Sequence, residues 1–171
     1  SGMAAASALM QTLGSGAHLL LPDDAYYGNR AAAQDFLSRW GIRTDLVAMD
    51  DPTALGAAIR PETRLIWLET PSNPLMKVTD LAASIAVAKR SGIPTVVDNT
   101  FATPALQRPI ALGADVILHS MTKYIGGPRD VPGRALVFAK KGGLYDKAEH
   151  ARQVLRGVAS PFNPPLALPG D

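Results

Sequence analysis

Short apolar runs alternate with segments of helical periodicity along the whole chain. The apolar runs predict buried strands, and the segments between them predict helices that bury one face. Strands are expected at residues 18–22, 42–47, 64–69, 95–98, 115–119 and 135–139. Helices are expected at about residues 2–13, 30–40, 52–60, 79–91 and 142–156.

Capping residues define the ends of several predicted helices. Ser1 is the predicted N-cap of the first helix, and Asp51 with Pro52 begins the third. Thr79 is the predicted N-cap of the fourth helix, and Gly92 lies just past its end.

The order of these elements indicates the fold class. Short apolar strands separated by helices are typical of crossover connections, which join parallel strands. The sequence therefore predicts an α/β fold of three layers (αβα) with a mostly parallel sheet. Ligands of such sheets bind beyond the carboxyl ends of the strands, where we expect Glu69, Asp98 and Ser120 to meet.

The composition argues against several classes of function. The chain has 171 residues, the size of one domain, and a net charge of +2 without a basic cluster, so nucleic acid is not an expected partner. No apolar run reaches the ~18 residues of a membrane span, so no membrane role is expected. With no cysteine and three separated histidines, neither a disulfide framework nor a metal site is expected, and a cytoplasmic location fits.

Both ends of the chain suggest that it is part of a longer protein. It begins at Ser1 without the pattern of a secretion signal, and residues 160–171 are rich in proline. We therefore expect a segment of a larger chain.

Lys123 and Asp98 form the most informative pair of residues. Lys123 follows the predicted strand at 115–119, and Asp98 ends the strand at 95–98. A lysine amine can bind the aldehyde of pyridoxal phosphate (PLP), and an acid can keep its ring nitrogen protonated. We expect burial of the Lys123 amine to favour its neutral, nucleophilic form. In the alternative, Lys123 is an ordinary surface lysine and Asp98 caps the following turn.

Other residues could bind the phosphate of such a cofactor. Gly2, at the start of the first helix, would let an anion approach unpaired backbone N–H groups. Ser120 and Thr122 could add hydroxyl donors, although ordinary hydrogen bonding at a strand end would also explain them.

Two loops supply further candidates. Tyr26 follows a predicted strand and could stack on an aromatic cofactor, or it could be a packed turn residue. Asn73 lies between Pro71 and Pro74, where its amide could donate to a cofactor oxygen or simply form a turn.

Taken together, these motifs resemble the Cys/Met-metabolism family of PLP enzymes, which includes cystathionine γ-synthase, cystathionine γ-lyase, O-acetylhomoserine sulfhydrylase and methionine γ-lyase. The similarity extends over nearly the whole chain. The matching segments are Ser-Gly-Met-Ala-Ala at 1–5, Asp-Asp-Ala-Tyr at 23–26, Glu-Thr-Pro-Ser-Asn-Pro at 69–74, Val-Asp-Asn-Thr-Phe at 97–101, Gly-Ala-Asp-Val at 113–116, Ser-Met-Thr-Lys-Tyr-Ile-Gly-Gly at 120–127 and Ser-Pro-Phe-Asn at 160–163.

The resemblance implies a role for each matching site residue. Lys123 would bind the PLP aldehyde and shuttle protons, and Asp98 would pair with the ring nitrogen. Tyr26 would stack on the ring and take part in catalysis, and Asn73 would lie near the ring hydroxyl. The phosphate ligands would be Gly2, Met3, Ser120 and Thr122.

The resemblance also implies a fold, an activity and an assembly. Residues 1–171 would be part of the PLP-binding major domain of a fold-type I enzyme, with 160–171 the start of a connector. The N-terminal arm and the C-terminal domain of the family would be absent. The reaction would be γ-replacement or γ-elimination on sulfur amino acids or O-acylhomoserine, in a homotetramer built as a dimer of dimers.

The sequence also departs from the family pattern. Pro128 and Arg129 stand where the family usually has His-Ser, and Arg134 replaces the second residue of a glycine pair. Prolines near the end predict that the last segment is not helical. We expect a cystathionine γ-synthase-like activity, with lyase-like elimination and a catalytically silent PLP-binding fragment as alternatives. A nucleotide-binding module is disfavoured, because no glycine-rich loop lies between a strand and a helix.

Overall fold

The computed structural model describes residues 2–125 and 133–154 and contains one six-stranded sheet in the order β2-β1-β3-β4-β5-β6. Neighbouring strands are parallel except for β5 and β6, which are antiparallel. The mostly parallel sheet predicted from the sequence is therefore confirmed. The strands are β1 His18–Pro22, β2 Arg43–Val47, β3 Thr63–Glu69, β4 Thr95–Asp98, β5 Val116–Ser120 and β6 Arg134–Phe138.

Helices connect the parallel strands, as the crossover rule requires. The described α-helices are α1 Gly2–Met10, α2 Tyr27–Asp35, α3 Pro52–Ala58, α4 Leu81–Arg90, α5 Thr103–Leu106 and α6 Gly143–Val154. Single 3₁₀ turns occupy Leu37–Trp40 and Pro109–Leu112. Within the described residues, no helix is long and apolar enough to cross a membrane.

The central strands are buried on both faces, which explains their continuous apolar sequence. Leu65 and Trp67 of β3 belong to a core on one side of the sheet that includes residues of α1, α2 and α6. Ile66 and Leu68 belong to a second core that includes residues of α3 and α4. The sheet thus lies between two helical layers, as predicted.

Several helix boundaries differ from those expected, including the end of the first helix, which is at Met10. The helix expected at 30–40 begins earlier and ends at Asp35, after which the chain tightens into the 3₁₀ turn before Gly41 (φ 73°). The expected N-cap Thr79 is wrong, because the side chain of Asp80 accepts the N–H of Ala83 at 2.9 Å. A carboxylate three residues before that N–H has the geometry of an N-cap. The N–H of Thr79 instead donates to the hydroxyl of Thr70.

The cap expected at Asp51 is confirmed, since its carboxylate accepts the N–H of Thr53 at 2.8 Å. Some expectations fall on residues outside the described ranges. These are the cap at Ser1, the departures at Pro128 and Arg129, and the non-helical end of the chain.

Candidate functional site

A cavity of about 460 Å³ opens beyond the carboxyl ends of β3, β4 and β5. This volume lies in the range of small-molecule sites. The structure brings most of the expected site residues together in its wall, including the pair Lys123 and Asp98. Among the described residues, the cavity is lined by Tyr26, Glu69, Pro71, Asn73, Asp98, Thr100, Phe101, Ser120, Thr122, Lys123, Tyr124 and Arg134.

Asp98 is a buried acid at the end of β4. Its Oδ1 accepts hydrogen bonds from the hydroxyl and the N–H of Thr100, the latter at 3.1 Å. Burial raises the pKa of Asp98, while the Thr100 hydrogen bonds oppose that rise. Asp98 therefore forms the turn that was the alternative interpretation, and it also lines the cavity.

Thr100 is a site residue that the sequence analysis did not identify. Its hydroxyl donates to Asp98 and accepts the N–H of Ser120 at 2.9 Å, so it joins the ends of β4 and β5. The pattern of an aspartate followed two residues later by a hydroxyl residue was the available signal, because such aspartates often close a turn.

Glu69 links two loops of the cavity. Its Oε2 accepts the N–H of Tyr26 at 3.0 Å, and its Oε1 accepts the N–H of Asn73 at 3.0 Å. Burial, together with the charge of Asp98, raises the pKa of Glu69 to about 8. Glu69 therefore fixes the backbone of both Tyr26 and Asn73 and is largely protonated at neutral pH.

The start of α2 is packed closely against Tyr26. A Cβ atom on Gly28 would lie 2.6 Å from Cε1 of Tyr26 and 2.8 Å from Sδ of Met3. Glycine at 28 is thus needed for this close approach. Met3 packs beside Tyr26 but does not line the cavity, and Gly2 is the first residue of α1.

Lys123 and Thr122 differ in part from expectation. Lys123 lines the cavity but is exposed, so the expected burial of its amine is not found. The short turn after β5 accounts for this, because the Lys123 N–H donates back to the Ser120 carbonyl at 3.2 Å. The hydroxyl of Thr122 accepts the N–H of Gly133 at 3.1 Å, which is the strand-end bonding that was its alternative.

Arg134 is a second residue that the sequence analysis did not assign to the site. It begins β6, pairs in register with Ser120, and lines the cavity. Its Nε and Nη1 are buried without a hydrogen-bond partner among the described residues. Burial lowers the pKa of Arg134, and the neighbouring Asp98 opposes that shift.

Comparisons with known proteins identify the family of the chain. The family model "Cys/Met metabolism PLP-dependent enzyme" matches residues 1–170. A cystathionine γ-synthase from Mycobacterium bovis is 51% identical over 99% of this chain and 44% of its own. A cystathionine γ-lyase from Bacillus subtilis is 42% identical over 99% of this chain and 45% of its own.

A solved structure has the same fold. The cystathionine γ-lyase from Lactobacillus plantarum complexed with L-serine superposes with a TM-score of 0.92 and 35% identity, over 98% of this chain and 44% of that one. The chain spans about half the length of the relatives it matches. Because the family model matches almost every residue, the chain belongs to the Cys/Met metabolism PLP-dependent enzyme family.

Proposed function

We propose that residues 1–171 are part of the PLP-binding major domain of a cystathionine γ-synthase-like enzyme, which replaces the γ-substituent of an O-acylhomoserine with a sulfur nucleophile. One observation carries the proposal: Lys123 and Asp98 line the same cavity at the carboxyl ends of parallel strands. Its support from relatives is the 51% identity to a cystathionine γ-synthase.

The cavity fits PLP by its size and by its polar groups. It combines an amine, a buried acid, hydroxyl groups and an aromatic ring in about 460 Å³. Asp98 forms no salt bridge within 4.0 Å with any described residue, so a cationic ring nitrogen would give this buried acid a partner. Nε and Nη1 of Arg134 have no hydrogen-bond partner among the described residues, so they suit the anionic groups of the cofactor or the amino acid.

Each residue would have a defined role. Lys123 would hold the aldehyde and move protons at its Nζ, and Asp98 would bind the ring nitrogen. Tyr26 would lie against the ring and assist catalysis, while Asn73 would donate to the ring hydroxyl. The phosphate would be bound by Ser120 and, as the resemblance implies, by Thr122, Gly2 and Met3.

When bound, the cofactor supplies an electron-withdrawing ring that stabilises negative charge on the substrate carbon. The protein supplies the groups that hold and move protons. The exposed amine of Lys123 can be reached by a small aldehyde. The carboxyl group of Asp98 is buried, so a charge pair with it is stronger than in water. Glu69 would keep Tyr26 and Asn73 in position through their backbone N–H groups.

The proposal can be tested by adding PLP to the chain, reducing with borohydride and locating the modified lysine by peptide mass spectrometry. We expect modification of Lys123 and its loss in Lys123→Ala. Lys140→Ala is the matched control, because Lys140 is exposed and lies outside this cavity. Modification spread evenly over exposed lysines would contradict the proposal.

A γ-lyase-like elimination is the alternative activity, supported by the 42% identity to a γ-lyase and by the structural match. Assays with O-acylhomoserine plus cysteine and with cystathionine alone would distinguish the two reactions. A catalytically silent PLP-binding fragment is the other alternative, and the exposure of Lys123 favours it. Turnover of either substrate would exclude that alternative.

The proposal includes a cytoplasmic homo-oligomer, a dimer of dimers in the whole enzyme. Large apolar side chains that are exposed on the described part of the chain support association with another copy. Light scattering coupled to size-exclusion chromatography would test it, and a monomer at all concentrations would count against it. Examples of these side chains are Tyr27, Leu75, Val78 and Leu106.

A further inference from the structure

Arg134 brings a positive charge into the cavity without an ion pair to any residue that the structure describes. It lies in the wall with Asp98 and Glu69, yet it forms no salt bridge within 4.0 Å with any described residue. Its Nε and Nη1 are buried and have no hydrogen-bond partner in the described part of the chain. Buried donors without acceptors are costly, so this arrangement calls for an acceptor from a ligand.

The two acids among the described lining residues do not meet that need. Glu69 uses both oxygens to accept backbone N–H groups, and it is largely uncharged at neutral pH because its pKa is about 8. Oδ1 of Asp98 is already bonded twice by Thr100. Neither acid forms a salt bridge with Arg134 within 4.0 Å, and Nε and Nη1 of Arg134 have no hydrogen-bond partner among the described residues.

The position of Arg134 in the sheet places it beside Ser120 in the wall of the cavity. It is the register partner of Ser120 in the antiparallel pair β5–β6, and partners in such a pair have side chains on the same face. The nearby hydroxyl of Thr122 already exchanges hydrogen bonds with the backbone of Gly133. The hydroxyl of Thr122 is therefore not free to donate to a ligand, whereas Arg134 can supply donors beside Ser120.

We infer that Arg134 binds an oxyanion of the ligand in this cavity, either the phosphate ester of the cofactor or the carboxylate of the amino acid. This inference rests on the proposed function for the identity of the ligand. A guanidinium group presents several N–H donors in a planar fork that matches both kinds of oxyanion.

The test compares ligand pairs that differ only in the oxyanion. PLP is compared with pyridoxal, and L-methionine with its methyl ester, by measuring each dissociation constant for the chain, the second pair in the presence of PLP. The variants are Arg134→Gln, which removes the charge, and Arg134→Lys, which keeps it. Arg90→Gln is the matched control, because Arg90 is exposed at the end of α4, away from this cavity.

For each pair, the preference is the ratio of the two dissociation constants. We expect Arg134→Gln to reduce either the preference for PLP over pyridoxal or the preference for L-methionine over its methyl ester by about tenfold or more. This is the effect of a lost charge-assisted hydrogen bond. Loss of the PLP preference identifies the phosphate, and loss of the methionine preference identifies the carboxylate. Arg134→Lys should retain much of the preference, and Arg90→Gln all of it. Circular dichroism checks folding, and Arg134→Met replaces the glutamine variant if that variant unfolds.

Unchanged preferences in both pairs would overturn the inference. Equal weakening of both members of a pair would also overturn it, because the role would then be structural. If Arg134→Gln bound both PLP and pyridoxal more tightly, the guanidinium group would be an obstacle in the cavity. That result would also overturn the inference. Inorganic phosphate, titrated by ³¹P NMR, separates this inference from the proposed function: phosphate binding that depends on Arg134 supports it even if no PLP is trapped on Lys123.

Discussion

Glu69 and Asp98 are register partners in the adjacent parallel strands β3 and β4, and both carboxyl groups are buried. The charge of Asp98 raises the pKa of Glu69, in addition to the larger effect of burial. The ionisation of Glu69 and Asp98 affects the stability of the fold, so it can be tested by unfolding experiments without any ligand. Two predictions follow from the different hydrogen bonds of the two acids.

Glu69→Gln should remove part of the pH dependence of stability. The pKa of Glu69 is about 8 when folded and near 4.5 in the unfolded chain, so between these pH values the folded state binds more protons than the unfolded state. The free energy of unfolding of the unmodified chain should therefore fall as pH rises from about 5 to 8, by on the order of a few kcal/mol. Urea titrations at several pH values measure this slope.

Glutamine can still accept the N–H of Asn73 through its oxygen, so the fold should persist in this variant. Glu62→Gln is the control, since Glu62 is an acid directly before β3 that forms an ion pair with Arg43 between exposed side chains. Such a pair contributes little to stability. A slope that is the same in Glu69→Gln and in the unmodified chain would show that Glu69 ionises normally in the fold.

Asp98→Asn should separate the two interpretations of Asp98. An asparagine oxygen can still accept from Thr100, and removal of a buried acid whose pKa is raised should leave stability at pH 8 unchanged or higher. Loss of the charge that would pair with the ring nitrogen should weaken PLP binding by roughly tenfold to a hundredfold. Equilibrium unfolding and PLP titration measure the two effects. Lower stability with unchanged PLP affinity would mean that Asp98 only forms a turn.

The layers and strands of the fold could be predicted because their signals are local. The apolar run at Leu65–Leu68 is buried on both faces, and the crossover rule then fixes parallel pairing. The helix cap was misassigned because Thr79 and Asp80 both have side chains that can cap. Only the tertiary hydrogen bond from Thr79 to Thr70 decides between them.

The site was harder to predict where it depends on contacts between distant segments. The residues at strand ends were found because parallel strands bring their carboxyl ends to one edge. Hydrogen bonds link Asp98 through Thr100 to Ser120 on the next strand. No local pattern predicts the hydrogen bond between the N–H of Ser120 and the hydroxyl of Thr100, because the two residues are distant in sequence. Arg134 was noticed only as a departure from the family, because its register with Ser120 depends on an antiparallel edge strand.

Thr100→Val should destabilise the end of the sheet. Valine keeps the branched shape but removes the hydroxyl that donates to Asp98 and accepts from Ser120. Loss of these partners in a partly buried position should lower the free energy of unfolding by about 1–3 kcal/mol and raise the pKa of Asp98 further. Denaturant titration measures the first effect, and the pH dependence of PLP binding reports the second.

Thr100→Ser is the control for that prediction, since serine retains the hydroxyl. It should keep most of the stability and the PLP affinity of the unmodified chain. Equal loss in the serine and valine variants would assign the effect to the methyl group rather than to the hydrogen bonds. The bridging role of Thr100 would then be wrong.

Gly28→Ala tests whether the position of the Tyr26 ring matters for ligand binding. The new methyl group would lie 2.6 Å from Cε1 of Tyr26 and 2.8 Å from Sδ of Met3, so both side chains must move. PLP affinity should fall several-fold, as measured by titration.

Gly56→Ala is the matched control, because the nearest neighbour of its new methyl group would be Cγ1 of Val87 at 3.8 Å. It should leave PLP affinity unchanged and stabilise α3 by up to about 1 kcal/mol, since alanine favours helix over glycine. Equal PLP affinity in both variants would show that the ring of Tyr26 does not contact the cofactor.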